Sequence, residues 1–255
     1  SAPAYLAARL SRIPIVVHEA NAIPGIANKL GAMFTRHVGV TFAGTPIGHS
    51  HVVGMPLRHE IATLDRVARR SEALSYFGLD QRPVLVVTGG STGAARINET
   101  VRATANALVS AGWQVIHTVG ESRDFVDPRI EGYHPLPYCD RMDLALAVAD
   151  LVIARAGAAT VSELSGLGIP TIFVPYPVGN GEQAHNAADV IRAGGAILCR
   201  DADFTPEYVS STVLELMAND TSRAAMSTAS LSVGIRDGAA RLAALVRTAL
   251  DTRTA

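Results

Sequence analysis

An α/β fold built on a parallel sheet is predicted by three observations. From residue 83 onward, short apolar runs alternate with segments of helical spacing, the pattern of strands joined by crossover helices. The runs are apolar throughout, as strands covered on both faces are. Glycine-rich and polar motifs fall directly after the runs, where the carboxyl ends of parallel strands face a common crevice.

The elements follow in order. An Ala/Leu helix spans Ala4 to Leu10, a strand Ile13 to His18, and a second apolar run Val38 to Phe42. These are too few to close a doubly wound sheet, so residues 1–56 are expected to be part of an N-terminal unit, with the chain already under way at Ser1-Ala2-Pro3. Residues 57–82 are expected as linker and domain entry. Val53 to Ser71, with Gly54, Pro56 and then a charged run, has the composition of a connection between units. Residues 83–233 form the main unit, with strands at Val84–Thr88, Trp113–Val119, Leu151–Ala154, Thr171–Val174 and Ala196–Cys199. Helices are expected at Ala95–Val109, Asp140–Val148, Ala159–Gly166, Gln183–Arg192 and Pro206–Met217. A last helix, Gly238–Leu250 within a segment 234–255, has the option of packing back on the N-terminal part.

Composition excludes several function classes. The chain has 255 residues, 48% hydrophobic and 18% charged, which suits a globular α/β protein. A net charge of −1 and 5% aromatic residues offer neither the basic surface nor the stacking platform that nucleic acid requires. Cys139 and Cys199 alone make neither a disulfide framework nor a four-ligand zinc site, and a reducing cytosol is the simplest setting. His49 and His51 lack partners at ligand spacing, so no metal is expected. The most apolar stretch, Leu144 to Ile153, is broken by Asp150 and falls short of the roughly 20 residues of a membrane span. No signal peptide is visible.

The chemistry lies in three motifs at strand ends. Gly89-Gly90-Ser91-Thr92-Gly93-Ala94 joins a strand to a helix, where backbone N–H groups can approach an anion, so a phosphate-bearing ligand is expected. The same residues match the G-x-S-x-G nucleophile elbow of hydrolases, with Asp150 and His185 as the remaining triad members, although no His-Gly-Gly segment precedes Ser91. Arg155 to Glu163 follows the second strand end; Glu163 is either a solvated helix residue or a carboxylate that accepts two hydrogen bonds from a ribose diol. In Gly181 to Ala187, the side chains of Glu182, Gln183 and Asn186 either decorate a helix or meet sugar hydroxyls. Arg58 is a linker charge, or a bidentate diphosphate clamp if the linker lines the cleft. One ligand touching all three strand ends would be a nucleotide sugar.

Five ordered motifs, His18-Glu19-Ala20-Asn21-Ala22-Ile23-Pro24-Gly25, Val53-Gly54-Met55-Pro56-Leu57-Arg58, Gly89–Ala94, Arg155–Glu163 and Gln183–Ala187, resemble those of the MurG family. The resemblance implies the GT-B architecture: a Rossmann-like donor domain with a parallel sheet, and here a partial N-terminal Rossmann-like domain. It implies an inverting transfer of N-acetylglucosamine from UDP-N-acetylglucosamine to lipid I, giving lipid II for peptidoglycan, with no cofactor. Gly90, Ser91, Thr92 and Gly93 would meet the donor diphosphate, with Arg58 nearby. Glu163 would hold the ribose, Glu182 and Gln183 the sugar hydroxyls, and the segment around Cys139 would border the uracil. Asn21 would face the acceptor or the transferred sugar. Met55, Ala20 and Ala156 depart from the common residues at their positions.

The family's N-terminal Gly-Gly-Thr-x-Gly-His loop, which binds the acceptor diphosphate and is thought to carry the general base, has no counterpart before His18. The catalytic base is therefore unassigned, with His18 as a substitute or a structural residue, and the expectation is a chain that binds donor better than it turns over. A donor-binding module without transfer, or another GT-B or epimerase enzyme, would share the same donor fold. A lipid-linked acceptor implies a peripheral location at the cytoplasmic face of the membrane. Lys29, Leu30, Met33, Phe34 and Arg36 mix basic and apolar side chains that suit either an anionic surface or the core.

Overall fold

In the computed structural model, which describes residues 2–90, 94–120 and 125–251, two parallel sheets are joined by short helices. The first unit holds α1 (Ala2–Leu10), β1 (Val17–Glu19), α2 (Ile26–Ala32), β2 (Val38–Val40) and β3 (Ser50–Val52), its strands paired in the order β1-β2-β3. Ile15, Val17, Val38 and Val40 form its small core. β1 begins later than the sequence predicts, at Val17, because only Val17–Glu19 pairs with β2.

The segment expected as a linker is helical. α3 (His59–Ala62) is a single turn, and α4 (Arg66–Phe77) is a regular helix, started by Asp65, whose carboxylate accepts from the Val67 and Ala68 amides at 3.0 Å, and ended by Gly78 in the left-handed conformation. The charged run that suggests a connection anchors α4 to the sheet. Arg70 reaches the Val148 carbonyl at 3.0 Å and Asp150 at 2.9 Å, while Asp150 accepts from the Val84 amide at 2.8 Å.

The larger sheet contains β4 (Val84–Thr88), β5 (Gln114–Thr118), β6 (Tyr133–Leu136), β7 (Ala149–Ala154), β8 (Thr171–Phe173) and β9 (Ala196–Leu198), all parallel, in the order β6-β5-β4-β7-β8-β9. Its helices are α5 (Ala95–Ser110), α6 (Met142–Val148), α7 (Ala158–Gly166), α8 (Glu182–Asn186) and α9 (Ala188–Arg192). α10 (Pro206–Tyr208), a π turn at Val209–Val213 and α11 (Leu214–Ala218) replace the single helix expected there, and α12 (Asp220–Val233) follows. Strand alternation sends Val84, Val86, Val152 and Ala154 to the face covered by α4, α6 and α7, and Leu85, Val87, Leu151 and Ile153 to the face covered by α5, α10 and α11. α13 (Gly238–Asp251) crosses to the small sheet, where Leu245 stands 3.4 Å from the position of a Cβ on Gly39 of β2.

One buried polar network fixes α5 to the sheet. His117, fully buried on β5, pairs through Nδ1 with the Tyr133 hydroxyl at 2.6 Å and through Nε2 with Asn98 Oδ1 at 3.0 Å, and Asn98 Nδ2 donates to the Val119 carbonyl at 2.7 Å. Asn98 lies in the first turn of α5, so the helix start is tied to two strands. Burial pushes the His117 imidazole down to about 3 and keeps it neutral. The unfolded chain takes up this proton near pH 6.5 and the folded chain does not, so stability falls as pH drops from 6.5 toward 3. Lowering the pH from 7 to 5 is expected to remove about 2 kcal/mol through this group alone. Urea titrations at both pH values should show that loss in the parent and a correspondingly smaller one in His117→Gln.

Candidate functional site

β4 and β7 are neighbours, yet the helices that follow them leave on opposite faces of the sheet, α5 on one and α7 on the other. This is the topological switch point, where an open parallel sheet leaves a crevice at its carboxyl edge. Both helix N-termini open there. Ala94 and Gly157 precede them with no side-chain cap, and neither first turn carries an acidic residue. Uncapped amides and two helix dipoles make the crevice attractive to an anion.

A cavity of about 200 Å³ occupies the crevice, and Arg58, Gly90, Thr118, Cys139, Thr160 and Glu163 are among its lining residues. Gly90 has φ +84°, a conformation glycine adopts freely, and it carries the chain out of β4 toward α5. Thr160, Glu163 and Leu164 share one face of α7, as spacings of three and four require. The Arg58 guanidinium donates to Glu163 Oε1 at 3.2 Å; Arg58 is 59% exposed and Glu163 only 14%. Burial pushes the Glu163 carboxyl above its ordinary value, and Arg58 opposes that rise. The Cys139 thiol is pushed up to about 11, chiefly by burial, and stays protonated at neutral pH. Thr118 Oγ1, at the end of β5, is buried without a hydrogen-bond partner. Thr118 and Thr160 were not singled out from sequence; the readable signal for Thr118 is its place at a strand end.

A second group gathers at the start of α7. Gln183 Oε1 accepts from the Ala156 amide at 3.2 Å and the Tyr176 amide at 2.9 Å. Asn186, 1% exposed, donates to the Ala156 carbonyl at 3.3 Å and to Asn21 Oδ1 at 3.2 Å, and accepts from the Ala22 amide at 2.8 Å. It therefore joins the two units. Glu182, half-buried in the first turn of α8, stands beside them. The loop that carries Asn21 is shaped by buried Glu19, whose carboxylate accepts from the amides of Asn21 at 3.0 Å and Gly25 at 2.9 Å and from Asn28 Nδ2 at 2.9 Å. Sequence reading gave no role to Glu19, although an acid at the end of a strand and the start of a loop is a natural acceptor for loop amides. His18 donates from Nε2 to the Gly54 carbonyl at 3.0 Å, a structural tie.

Of the residues expected in the site, Arg58, Gly90, Cys139 and Glu163 line one cavity, and Asn21 and Gln183 meet through Asn186 and Ala156. Ser91, Thr92 and Gly93 lie outside the described residues. The hydrolase alternative fails on geometry. Asp150 sits at the start of β7, the opposite edge of the sheet from Gly89, and is bound to Arg70 and the Val84 amide. His185 is held through Nδ1 by the Gly181 carbonyl at 3.0 Å. Among the described residues, no cluster of three or more His, Cys, Asp or Glu could hold a metal. A larger cavity, about 510 Å³, opens on the other face of α7 beside Phe42, Met55, Val161 and Ile235. Its two charged groups, Asp189 and Arg192, pair with each other at 2.7 Å.

Residues 84–242 match the glycosyltransferase family 28 C-terminal domain, and residues 1–40 match the N-terminal domain of that family. A Clavibacter sepedonicus protein named UDP-N-acetylglucosamine–N-acetylmuramyl-(pentapeptide) pyrophosphoryl-undecaprenol N-acetylglucosamine transferase is 56% identical over 255 residues, covering 99% of this chain and 70% of the relative. The crystal structure of Acinetobacter baumannii MurG superposes with a TM-score of 0.77 at 25% identity, covering 96% of this chain and 70% of that one. A putative UDP-N-acetylglucosamine 2-epimerase from Listeria monocytogenes has a TM-score of 0.74 at 14% identity, covers 98% of this chain and 71% of its own, and shares the fold alone.

Replacing Asn186 with leucine strips the Ala22 amide and the Ala156 carbonyl of a partner at a buried joint. The expected cost is about 2 to 3 kcal/mol in urea unfolding; a cost under about 0.5 kcal/mol would show that the joint contributes little.

Proposed function

The chain belongs to glycosyltransferase family 28, and from that premise we propose how its described residues carry the family's reaction. The reaction is the transfer of N-acetylglucosamine from UDP-N-acetylglucosamine to the muramyl sugar of lipid I, with inversion at the anomeric carbon, giving lipid II for peptidoglycan. One observation supports the placement of the donor above the others: the first turns of α7, whose start is uncapped, line one crevice together with the end of β4 at Gly90, with Arg58 beside them.

In this reading the diphosphate lies at the end of β4, against the turn that Gly90 opens. The α5 dipole and Arg58 stabilise the charge that grows on the UDP leaving group, a contribution that needs no metal. Glu163 accepts the ribose hydroxyls. Arg58 and Glu163 pair with each other at 3.2 Å, which sets the diphosphate and ribose contacts side by side. Thr118 and Cys139 border the base. Gln183 has its oxygen engaged by two backbone amides, so it meets the sugar through its NH2 group, with Glu182 as acceptor for a hydroxyl. Asn21, held by Asn186 across the cleft, faces the transferred sugar from the acceptor side. His18 and Glu19 hold the loops that present it and are not assigned as the base.

The acceptor is lipid-linked, so the enzyme works at a membrane surface; no helix among the described residues is long and apolar enough to cross one. We place the contact at α2 on the cytoplasmic face. Ile26 is 88% and Met33 78% exposed, and Lys29 lies between them, whereas Phe34 packs on the small core. Met33→Asp is expected to weaken binding to anionic vesicles, and equal binding by parent and variant would remove α2 from the surface. For the donor site, calorimetry should show UDP-N-acetylglucosamine bound in preference to UDP-glucose, with Arg58→Ala weakening it about tenfold, as loss of a charge-assisted hydrogen bond does. Unchanged affinity would take Arg58 out of the site.

A further inference from the structure

Between α12 and α13 the chain passes through a slot one backbone wide. A Cβ on Gly234 would stand 2.3 Å from the Ser165 carbonyl oxygen, and one on Gly238 would stand 2.3 Å from that of Met55. Ile235 lies against Gly54. On one side of this strap is the linker, a few residues before Arg58; on the other is the end of α7, directly after Glu163. The strap therefore fills the space between the two backbones whose side chains form the Arg58–Glu163 pair.

Arg236, at its centre, reaches further. Its Nε donates to the Ala62 carbonyl at 3.0 Å, and its Nη2 to the carbonyls of Leu64 at 2.7 Å and Ile61 at 3.4 Å. These carbonyls lie at the end of α3 and two residues beyond it, where a one-turn helix leaves few amides to meet them; that of Ile61 also accepts from the Leu64 amide at 3.3 Å. Arg58 is the residue that opens α3, and its own carbonyl accepts from the Ile61 and Ala62 amides at 3.0 and 2.9 Å. A helix this short has no stability of its own. Its place is set by buried Ile61 and by Arg236, and the same Arg236 packs its Cγ 3.0 Å from the position of a Cβ on Gly166, the last residue of α7.

We infer that Arg236 is a positioning residue for the donor site, holding α3 against the end of α7 so that Arg58 and Glu163 face each other across the nucleotide crevice. This rests on the reading of Arg58 as the diphosphate ligand. The strap couples a distant segment to substrate affinity: a residue that touches no ligand sets the geometry of one that does. Lysine is a poor substitute, because a single ammonium on a flexible stem cannot span three carbonyls in the fixed fork that guanidinium provides.

The test is a double-mutant cycle read by calorimetry with UDP-N-acetylglucosamine, well below the unfolding midpoint of every variant. Arg236→Met is expected to weaken binding about tenfold in the parent and less than twofold in the Arg58→Ala background. Arg236→Lys, which keeps the charge and folds more readily, is expected to give an intermediate loss with the same dependence on Arg58. A tenfold loss in both backgrounds would overturn the proposal, because the effect would then bypass Arg58; so would undiminished affinity in Arg236→Met. The premise is read separately: if Arg58→Ala alone binds as the parent does, it is the donor-site assignment that falls.

Discussion

The constraint on which the rest depends is the burial of β4 and β7 on both faces. Two adjacent parallel strands with no solvent-facing side need a helix layer on each side, and the chain supplies it by sending α5 one way and α7 the other. Once it does, the carboxyl ends of these strands cannot both be covered, and two helix N-termini are left pointing into the gap. The crevice proposed as the anion site follows from core packing before any functional side chain is placed. Arg58, Glu163 and Cys139 refine a cavity that the sheet order has already made.

Around that gap, polar joints hold the two units in register. Glu19 folds the first loop onto itself through two amides and an amide side chain, and His18 ties the same strand end to Gly54. Asn186 then fastens this loop to the start of α7. Each joint buries groups that would be costly to leave unpaired, which favours one relative placement of the units over others. Arg155 does similar work within the larger unit, where it reaches the carbonyls of Val174 and Pro175 at 3.0 and 3.1 Å and Asp201 at 2.5 Å. The motif arginine thus shapes the ends of β7 and β8 and is not itself presented to a ligand.

What could be read from the sequence was what local pattern encodes. β4, β7 and β8 carry apolar runs at Val84–Val87, Leu151–Ala154 and Ile172–Phe173, β5 a shorter one at Val115–Ile116, and the turns after β4 and β7 carry glycines where helices must begin at once. β6 escaped because it is an edge strand: Tyr133-His134-Pro135-Leu136 pairs on one side only, so it tolerates a proline and shows no apolar run. β3 is an exposed edge for the same reason. α4 was hidden because its arginines, which resemble a linker in composition, are spent on carbonyls at the base of the sheet. α12 was hidden because its alanines and serines were chosen for close approach; Ser230 would lie 2.6 Å from a Cβ on Gly195.

The site divides along the same line. Arg58 and Glu163 were each legible as chemistry, one as a cation near a glycine turn and the other as an acid in the first turns of a helix. Their pairing was not, because it joins positions 105 residues apart through a backbone spacing that neither segment contains. That spacing comes from a third segment, the strap at 234–238, whose glycines look in sequence like an ordinary helix break. Pattern reading finds residues that would meet a ligand, since ligand chemistry restricts residue type. It passes over residues that set the distance between them, since almost any local pattern can serve as a spacer. In a two-unit enzyme whose donor and acceptor sides must meet at one bond, the spacers decide whether correctly chosen residues converge on the same atom.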